Sequence, residues 1–239
     1  MFAYWFASLN GREATNPGPQ ANNPRSAEYS TLNLTPTNMH KTLLALLTVV
    51  GMATPLGLAQ EKPATTTKTA IFAGGCFWCM QEPFDHVKGV TKTVVGYTGG
   101  SKEDANYRAV SAHETQHREA IEVTYDPAQI TYDQVLDVFW RNINPTQADG
   151  QFHDIGLSYQ TAIYFQNDEE KKIAAASKEK LGKSGKFDRP IATEILPAMP
   201  FYPAEEYHQK YYLKNSAAYN MYHVGSGRVS YLAKIWGKP

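Results

Sequence analysis

Apolar and polar positions along this chain follow two different periods, and the switches between them mark out the elements. Thr69–Ala73 is a short apolar run closed by Gly74-Gly75, which predicts a buried strand. The next residues predict a helix running to about Val87. β-Branched residues fill Gly89–Tyr97, a second strand ended by Thr98-Gly99-Gly100. Residues 101–116 predict a loop with a short helix near Tyr107–Ala112. From His117 to Tyr125 the alternation is strict: His117, Glu119, Ile121, Val123 and Tyr125 share one face, and Arg118, Ala120, Glu122 and Thr124 the other. Thr131–Ile143 carries a helical apolar stripe at 135, 136, 138, 139, 140 and 143, with Thr131 as its N-cap. Asn144–Gly156 predicts a long loop. Leu157–Phe165 predicts a strand with Leu157, Tyr159, Thr161, Ile163 and Phe165 on one face, and Asp168–Leu181 a charged helix ended by Gly182. Ile191–Leu196 predicts a strand and Ala204–Lys214 a tyrosine-rich helix, while 215–239 has no strong period. The connection between strands 89–97 and 117–125 lacks a full crossover helix. That favours an α+β domain, a two-layer sandwich of a mixed β-sheet and flanking helices, over a doubly wound parallel sheet.

The N-terminal quarter differs from the rest. Residues 1–38 are rich in Asn, Pro, Ser and Thr and show neither period. Met39-His40-Lys41 then leads into the apolar run 42–52, and Gly57 and Ala59 supply small residues before Gln60. A basic start, an apolar centre and a small-residue cleavage site predict a signal peptide over 39–59, cut after Ala59. Because this pattern begins at Met39, residues 1–38 are expected to be an upstream extension. The competing expectation is a tail followed by a membrane anchor at 42–59, although Gly51 and Pro55 interrupt that segment. No cysteine lies near the cleavage point to carry a lipid. Residues 60–68 form a polar linker, and 69–239 the folded domain. The expected location is therefore outside the cytoplasm, in the periplasm.

The 239 residues are 42% hydrophobic and 12% aromatic, enough for one sizeable core. Lys+Arg and Asp+Glu both number 23, so nothing in the charge balance favours nucleic acid or a membrane surface. The chemistry concentrates in Gly74-Gly75-Cys76-Phe77-Trp78-Cys79-Met80, which holds both cysteines of the chain. Zinc needs about four ligands, and no matching His pair accompanies the two thiols. A c-type haem site needs His after the second cysteine, where Met80 stands. A structural disulfide across so short a loop would restrict the unfolded chain little. The remaining reading is redox or nucleophilic: Cys76 at a helix N-terminus, where amides and the dipole favour a thiolate, and Cys79 on the same face three residues on. Spacing alone leaves a structural clip, a redox couple and a metal site open. Phe77 and Trp78 are ordinary core residues or an apolar seat beside the sulfur.

Gly75-Cys76-Phe77-Trp78 resembles the signature of the A-type peptide methionine sulfoxide reductases. The resemblance continues through Gly96-Tyr97-Thr98-Gly99-Gly100, Asn106-Tyr107-Arg108, His117-Arg118-Glu119-Ala120, Tyr125-Asp126-Pro127 and Phe139-Trp140. It extends to Asp154-Ile155-Gly156, Tyr159, Phe201-Tyr202-Pro203-Ala204-Glu205 and His208-Gln209, covering about residues 69–213. It implies a ferredoxin-like α+β fold and thiol-dependent reduction of methionine-(S)-sulfoxide, in proteins or as the free amino acid.

What the resemblance implies for single residues is specific. Cys76 attacks the sulfoxide sulfur. Glu119, which alone reads as a solvent-facing or ion-paired strand residue, becomes the acid that protonates the departing oxygen. Tyr107 and Tyr159 bind that oxygen, Phe77 and Trp78 enclose the methyl group, and Asp154 helps hold the site. The chain departs from many members of the family in two places: Cys79 stands where they have Gly, and Ser216–Pro239 holds no cysteine. Cys79 is then the thiol that resolves a Cys76 sulfenic acid, giving a disulfide recycled by a thioredoxin-like donor. No metal or organic cofactor, no nucleic acid and no second subunit is required. The rival enzyme is a thioredoxin-like disulfide oxidoreductase, with no need for Glu119; the non-enzymatic rival is an exported binding domain with one local disulfide.

Overall fold

A computed structural model describes residues 66–237. The expected leader over 1–59 and most of the linker lie outside the described residues. The first elements are β1 (Lys68–Ala73), α1 (Phe77–Asp85), β2 (Val90–Thr98), α2 (Tyr107–Ser111), β3 (Arg118–Tyr125) and α3 (Tyr132–Arg141). They are followed by β4 (Gly150–Gln151), β5 (Asp154–Ile155), β6 (Ala162–Phe165), α4 (Asp168–Gly182), β7 (Glu194–Pro197) and β8 (Phe201–Pro203). Three helices close the described chain: α5 (Tyr211–Lys214), α6 (Ser216–Gly225) and α7 (Arg228–Trp236).

Six strands form one sheet in the order β7-β6-β1-β3-β2-β8. Every neighbouring pair is antiparallel except β6–β7, which is parallel, so the sheet is mixed as the sequence predicts. Strand alternation sorts the side chains. Phe72, Val95, Ile121, Val123 and Ile163 enter the main core beneath α1 and α3, where Phe72 stacks on Phe84 (5.7 Å) and Phe139 (4.9 Å). Ile71, Ala73, Ala120, Ala162 and Tyr164 make a smaller cluster on the other face. Thr131 caps α3 through a reciprocal capping box: Thr131 N–H donates to Gln134 Oε1 (2.9 Å) and Gln134 N–H to Thr131 Oγ1 (3.3 Å).

The structure corrects four local expectations. Leu157–Phe165 is not one strand: 157–159 form a 3-10 turn and only Ala162–Phe165 is extended. Gly156, at φ 129, starts that turn, and a Cβ there would lie 2.5 Å from the His113 ring. Loop 144–156 contains the small β4–β5 hairpin. The predicted helix 204–214 is reduced to Tyr211–Lys214 because the Gln209 side chain bonds the Val95 main chain (3.0 and 2.8 Å), and Lys210 follows at φ 53. The segment without a visible period contains α6 and α7.

Candidate active site

The turn between β1 and α1 carries the sulfur. Gly75 adopts φ 79, and a Cβ there would meet Gln151 at 2.5 Å, so the turn needs glycine. Cys76 is the N-cap of α1, and Cys79 N–H donates to its carbonyl (3.1 Å). Both cysteines are free, only 5% and 2% exposed, and packed in one cluster with Tyr212 and Tyr219. Behind the turn lies Arg228 of α7, only 2% exposed, donating to Gly74 O (3.0 Å) and to Asn142 O.

A helix N-terminus alone predicts an ionised thiol. Here burial pushes the Cys76 thiol well up, and the Cys79 side chain and the Asp154 charge push the same way against the Tyr222 hydrogen bond. The resting sulfur is therefore a thiol, which corrects the expectation drawn from the dipole. Removing a charge from water outweighs a terminal dipole worth roughly 0.3–1 kcal/mol.

Glu119 enters from the central strand β3, in register with Tyr97 of β2. It is 3% exposed, and its Oε2 accepts the Phe77 N–H (3.0 Å), a free amide at the start of α1. No basic side chain pairs with it among the described residues. Burial raises its pKa well above the carboxylate range; the Cys76 and Asp154 charges add to this, and the Phe77 amide opposes it. A strand residue that alone reads as solvent-facing is thus an interior acid.

Tyr107 and Tyr159 reach the same place from two loops. Tyr107 opens α2, with Asn106 as N-cap, and its N–H donates to Glu205 Oε1 (3.0 Å). The other oxygen of Glu205 accepts from Tyr97 Oη (2.8 Å), tying β2, α2 and the chain after β8 together. Tyr159 lies in the 3-10 turn with the His113 ring edge-on at 5.9 Å. Burial raises both hydroxyls, then the Glu119 charge does so further, so both remain proton donors.

Phe77 is only 1% exposed, packing on Tyr97 (5.9 Å) and His208 (5.0 Å), which makes it chiefly a core residue. Trp78 is half-buried: Tyr211 stacks on it at 4.0 Å, and its Nε1–H donates to His208 Nδ1 (3.0 Å). His208 is buried and stays neutral, its pKa lowered to about 4 by burial against the opposing pull of Glu205. Asp154, on β5, accepts the Tyr222 hydroxyl. Burial raises Asp154, and the Tyr222 bond and Arg228 charge partly offset it.

The structure thus gathers Cys76, Cys79, Glu119, Tyr107, Tyr159 and Asp154 around one sulfur and frames them with Trp78. Sequence reasoning missed Tyr211, Tyr222 and Arg228, all from the segment after β8. The only signal there is the spacing of Tyr219 and Tyr222, which puts two hydroxyls on one helical face. Among the described residues no group of three or more His, Cys, Asp or Glu is placed to hold a metal ion. A separate cavity of about 520 Å³, lined by Lys68, Tyr132, Asp133 and Glu170 at the starts of α3 and α4, contains none of these groups.

The site can present a buried thiol, an undissociated carboxylic acid and two neutral phenols to one small polar group. Comparison with known proteins agrees in extent as well as in kind. The family described as peptide methionine sulfoxide reductase matches residues 68–239, reaching 26 residues beyond the stretch that the motifs alone covered. The peptide methionine sulfoxide reductase MsrA of Bacillus pumilus is 53% identical over 167 residues, covering 70% of this chain and 94% of that protein. That of Bacillus subtilis is 51% identical over 168 residues, covering 70% and 95%. Among solved structures, reduced Mxr1 from Saccharomyces cerevisiae superposes with a TM-score of 0.60 at 32% identity, covering 65% of this chain and 88% of that one. Methionine sulfoxide reductase A of Corynebacterium diphtheriae gives 0.56 at 33%, covering 65% and 77%. With the cysteine turn, the interior acid and the two phenols all inside the matched region, this chain belongs to the peptide methionine sulfoxide reductase family.

Proposed function

We propose that the chain reduces methionine-(S)-sulfoxide, free or in oxidised proteins, to methionine, with Cys76 as nucleophile. The observation that carries this reading is the Cys76–Glu119 pair: a sulfur at a helix N-cap beside a carboxyl that burial keeps protonated. Cys76 sulfur bonds to the sulfoxide sulfur while Glu119 delivers a proton to its oxygen, which Tyr107 and Tyr159 hold by hydrogen bonds. Trp78, edged by Phe77, supplies the apolar seat for the methyl group.

Transfer of the oxygen leaves methionine and a Cys76 sulfenic acid. The Cys79 thiol attacks that sulfur and water departs, so one disulfide replaces two thiols. A thioredoxin-like dithiol then reduces the disulfide and is itself oxidised, restoring both thiols. Support for Cys79 comes from its place in the first turn of α1, its N–H donating to Cys76 O (3.1 Å) and its side chain in the same packed cluster. The pattern over 39–59 supports export to the periplasm; that reading rests on sequence alone.

Anaerobic turnover of free and peptide methionine sulfoxide with dithiothreitol tests the assignment in wild type, Cys76→Ser, Cys79→Ser and Glu119→Gln. Cys76→Ser is expected to be inactive. Without reductant Cys79→Ser should still form one methionine per chain, and with a thioredoxin-like donor in place of dithiothreitol it should lose cycling. Full donor-driven cycling by Cys79→Ser would remove Cys79 from the resolving role. A disulfide oxidoreductase without sulfoxide chemistry would be indifferent to Glu119→Gln.

A further inference from the structure

The two phenols of the site arrive on separate loops, and one side chain joins those loops. His113 lies two residues beyond α2, the helix that opens with Tyr107. The Ala112, His113 and Glu114 amides donate to the carbonyls of Arg108, Val110 and Ala109 (3.1 Å each), so His113 is tied back into that helix. Its ring reaches the turn that carries Tyr159. Nδ1 lies 3.0 Å from Ser158 Oγ, and the ring meets Tyr159 edge-on at 5.9 Å. Gly156 admits the ring, since a Cβ there would stand 2.5 Å from it.

His113 also takes a left-handed backbone, φ 60, one of three non-glycine residues to do so among the described residues. Glycine adopts that conformation at lower cost, so a side chain kept there against the strain points to a use for the ring. We propose that His113 is a positioning residue for the sulfoxide oxygen: it sets the spacing of the Tyr107 and Tyr159 hydroxyls by locking the end of α2 to the 157–159 turn. This rests on the proposed sulfoxide chemistry, in which those two hydroxyls hold the departing oxygen.

The other holds on the two loops act separately. Tyr107 N–H donates to Glu205, which fixes the start of α2 against β2 and the chain after β8. Gly156 N–H donates to Asp149 O (2.8 Å), which fixes the turn to its own loop. Neither bond runs from one phenol-bearing segment to the other, whereas the His113–Ser158 bond does. Both hydroxyls feel the Glu119 charge, and Tyr159 also feels Tyr107, so the two share one space. His113 acts through Tyr159 and does not itself hold the oxygen. Loss of its ring leaves the phenol in place but aimed less well, and misaimed donors weaken the transition state more than substrate binding.

A double-variant cycle in methionine formation tests this. His113→Gly relieves the backbone and removes the ring, so it separates the two. It should lower kcat by about ten-fold with little change in KM, a smaller loss than the roughly 10²–10³-fold expected of Tyr159→Phe. His113→Ala should be as slow as His113→Gly. In a Tyr159→Phe background His113→Gly should cost less than about two-fold, because the hydroxyl it positions is gone. An undiminished kcat in His113→Gly, or the same deficit with and without the Tyr159 hydroxyl, would overturn the positioning role. A wild type that forms no methionine would refute the proposed function instead. The positioning is then read from the Tyr159 ring resonance in tyrosine-labelled protein, identified by its loss in Tyr159→Phe. His113→Gly should shift or broaden that resonance, and an unchanged one would overturn the inference.

Discussion

Two carboxyl groups flank one sulfur, and the chain holds them in opposite ways. Glu119 projects from the middle of the sheet, on a strand paired along both edges, and its partner is the backbone amide of Phe77. Asp154 sits on a two-residue strand of a separate hairpin, and its partner is a side chain from the C-terminal helices. One environment is fixed by main-chain hydrogen bonds, the other by side chains that meet only when the tail docks. The difference predicts that the Glu119 side withstands perturbation and that the Asp154 side is where the site can be loosened.

The largest effect should come from the rigid side. Glu119→Gln is expected to slow the chemical step by about 10²–10⁴-fold, the usual contribution of a positioned acid. Rapid-quench measurement of methionine formation gives that number. The same variant sharpens the comparison through stability. Glu119 has a raised folded-state pKa, so its contribution is full below the ordinary carboxyl range and is lost as pH rises through the folded value. The thermal midpoint of Glu119→Gln should therefore gain on wild type as pH rises from acid toward neutrality.

Arg228→Met attacks the docked side. The guanidinium bonds Gly74 O and Asn142 O from a buried position, and its loss leaves both carbonyls unsatisfied. A stability loss of about 1–3 kcal/mol is expected in urea unfolding, with lowered activity because the cysteine turn loses its backing.

Why the two sides differ in legibility follows from the same contrast. Strand alternation put Glu119 on the face with Ile121 and Val123, and its burial followed once the family motifs were recognised. Cys76 at the helix start was also readable, from Gly74-Gly75 and the C-x-x-C spacing. Alternation continues through Tyr159 and predicts a strand there, whereas Gly156 at φ 129 breaks the extended chain just before. The tail was opaque for a different reason. Its buried positions are Tyr212, Tyr219, Ser226 and Arg228, residues that score as polar in any hydropathy pattern, while Leu213, Met221 and Val224 are exposed. Their interior partners lie more than a hundred residues away, as in Tyr212–Asp85 (2.8 Å) and Tyr219–Glu82 (2.6 Å), so no local period records them.

Acid should loosen the tail at lower cost than mutation. His208 is buried neutral with its pKa lowered to about 4, so its contribution is present above about 6.5 and is lost as pH falls through the folded value. His223 on α6 is lowered to about 4 as well. Protonating His208 Nδ1 removes the acceptor of Trp78 Nε1–H. Trp78 emission, isolated by difference against Trp78→Phe, should change with a midpoint near 4. A flat response from neutral pH to below that midpoint would show that the Trp78–His208 bond does not hold the cap.

The smallest effect is expected far from the sulfur. Trp140 on α3 donates to Ser177 Oγ (2.8 Å) on α4. Trp140→Phe should cost about 0.5–1.5 kcal/mol in urea unfolding and leave the turnover number unchanged. An activity loss there would show that the helical layer and the site are more tightly coupled than the comparison allows.

The most direct test of the central claim is the stoichiometry of a reaction run without any reductant. Fully reduced protein mixed anaerobically with excess methionine sulfoxide should form one methionine per chain while two thiols disappear, and Cys76→Ser should form none. Methionine formation by Cys76→Ser, or formation without thiol loss, would contradict the account.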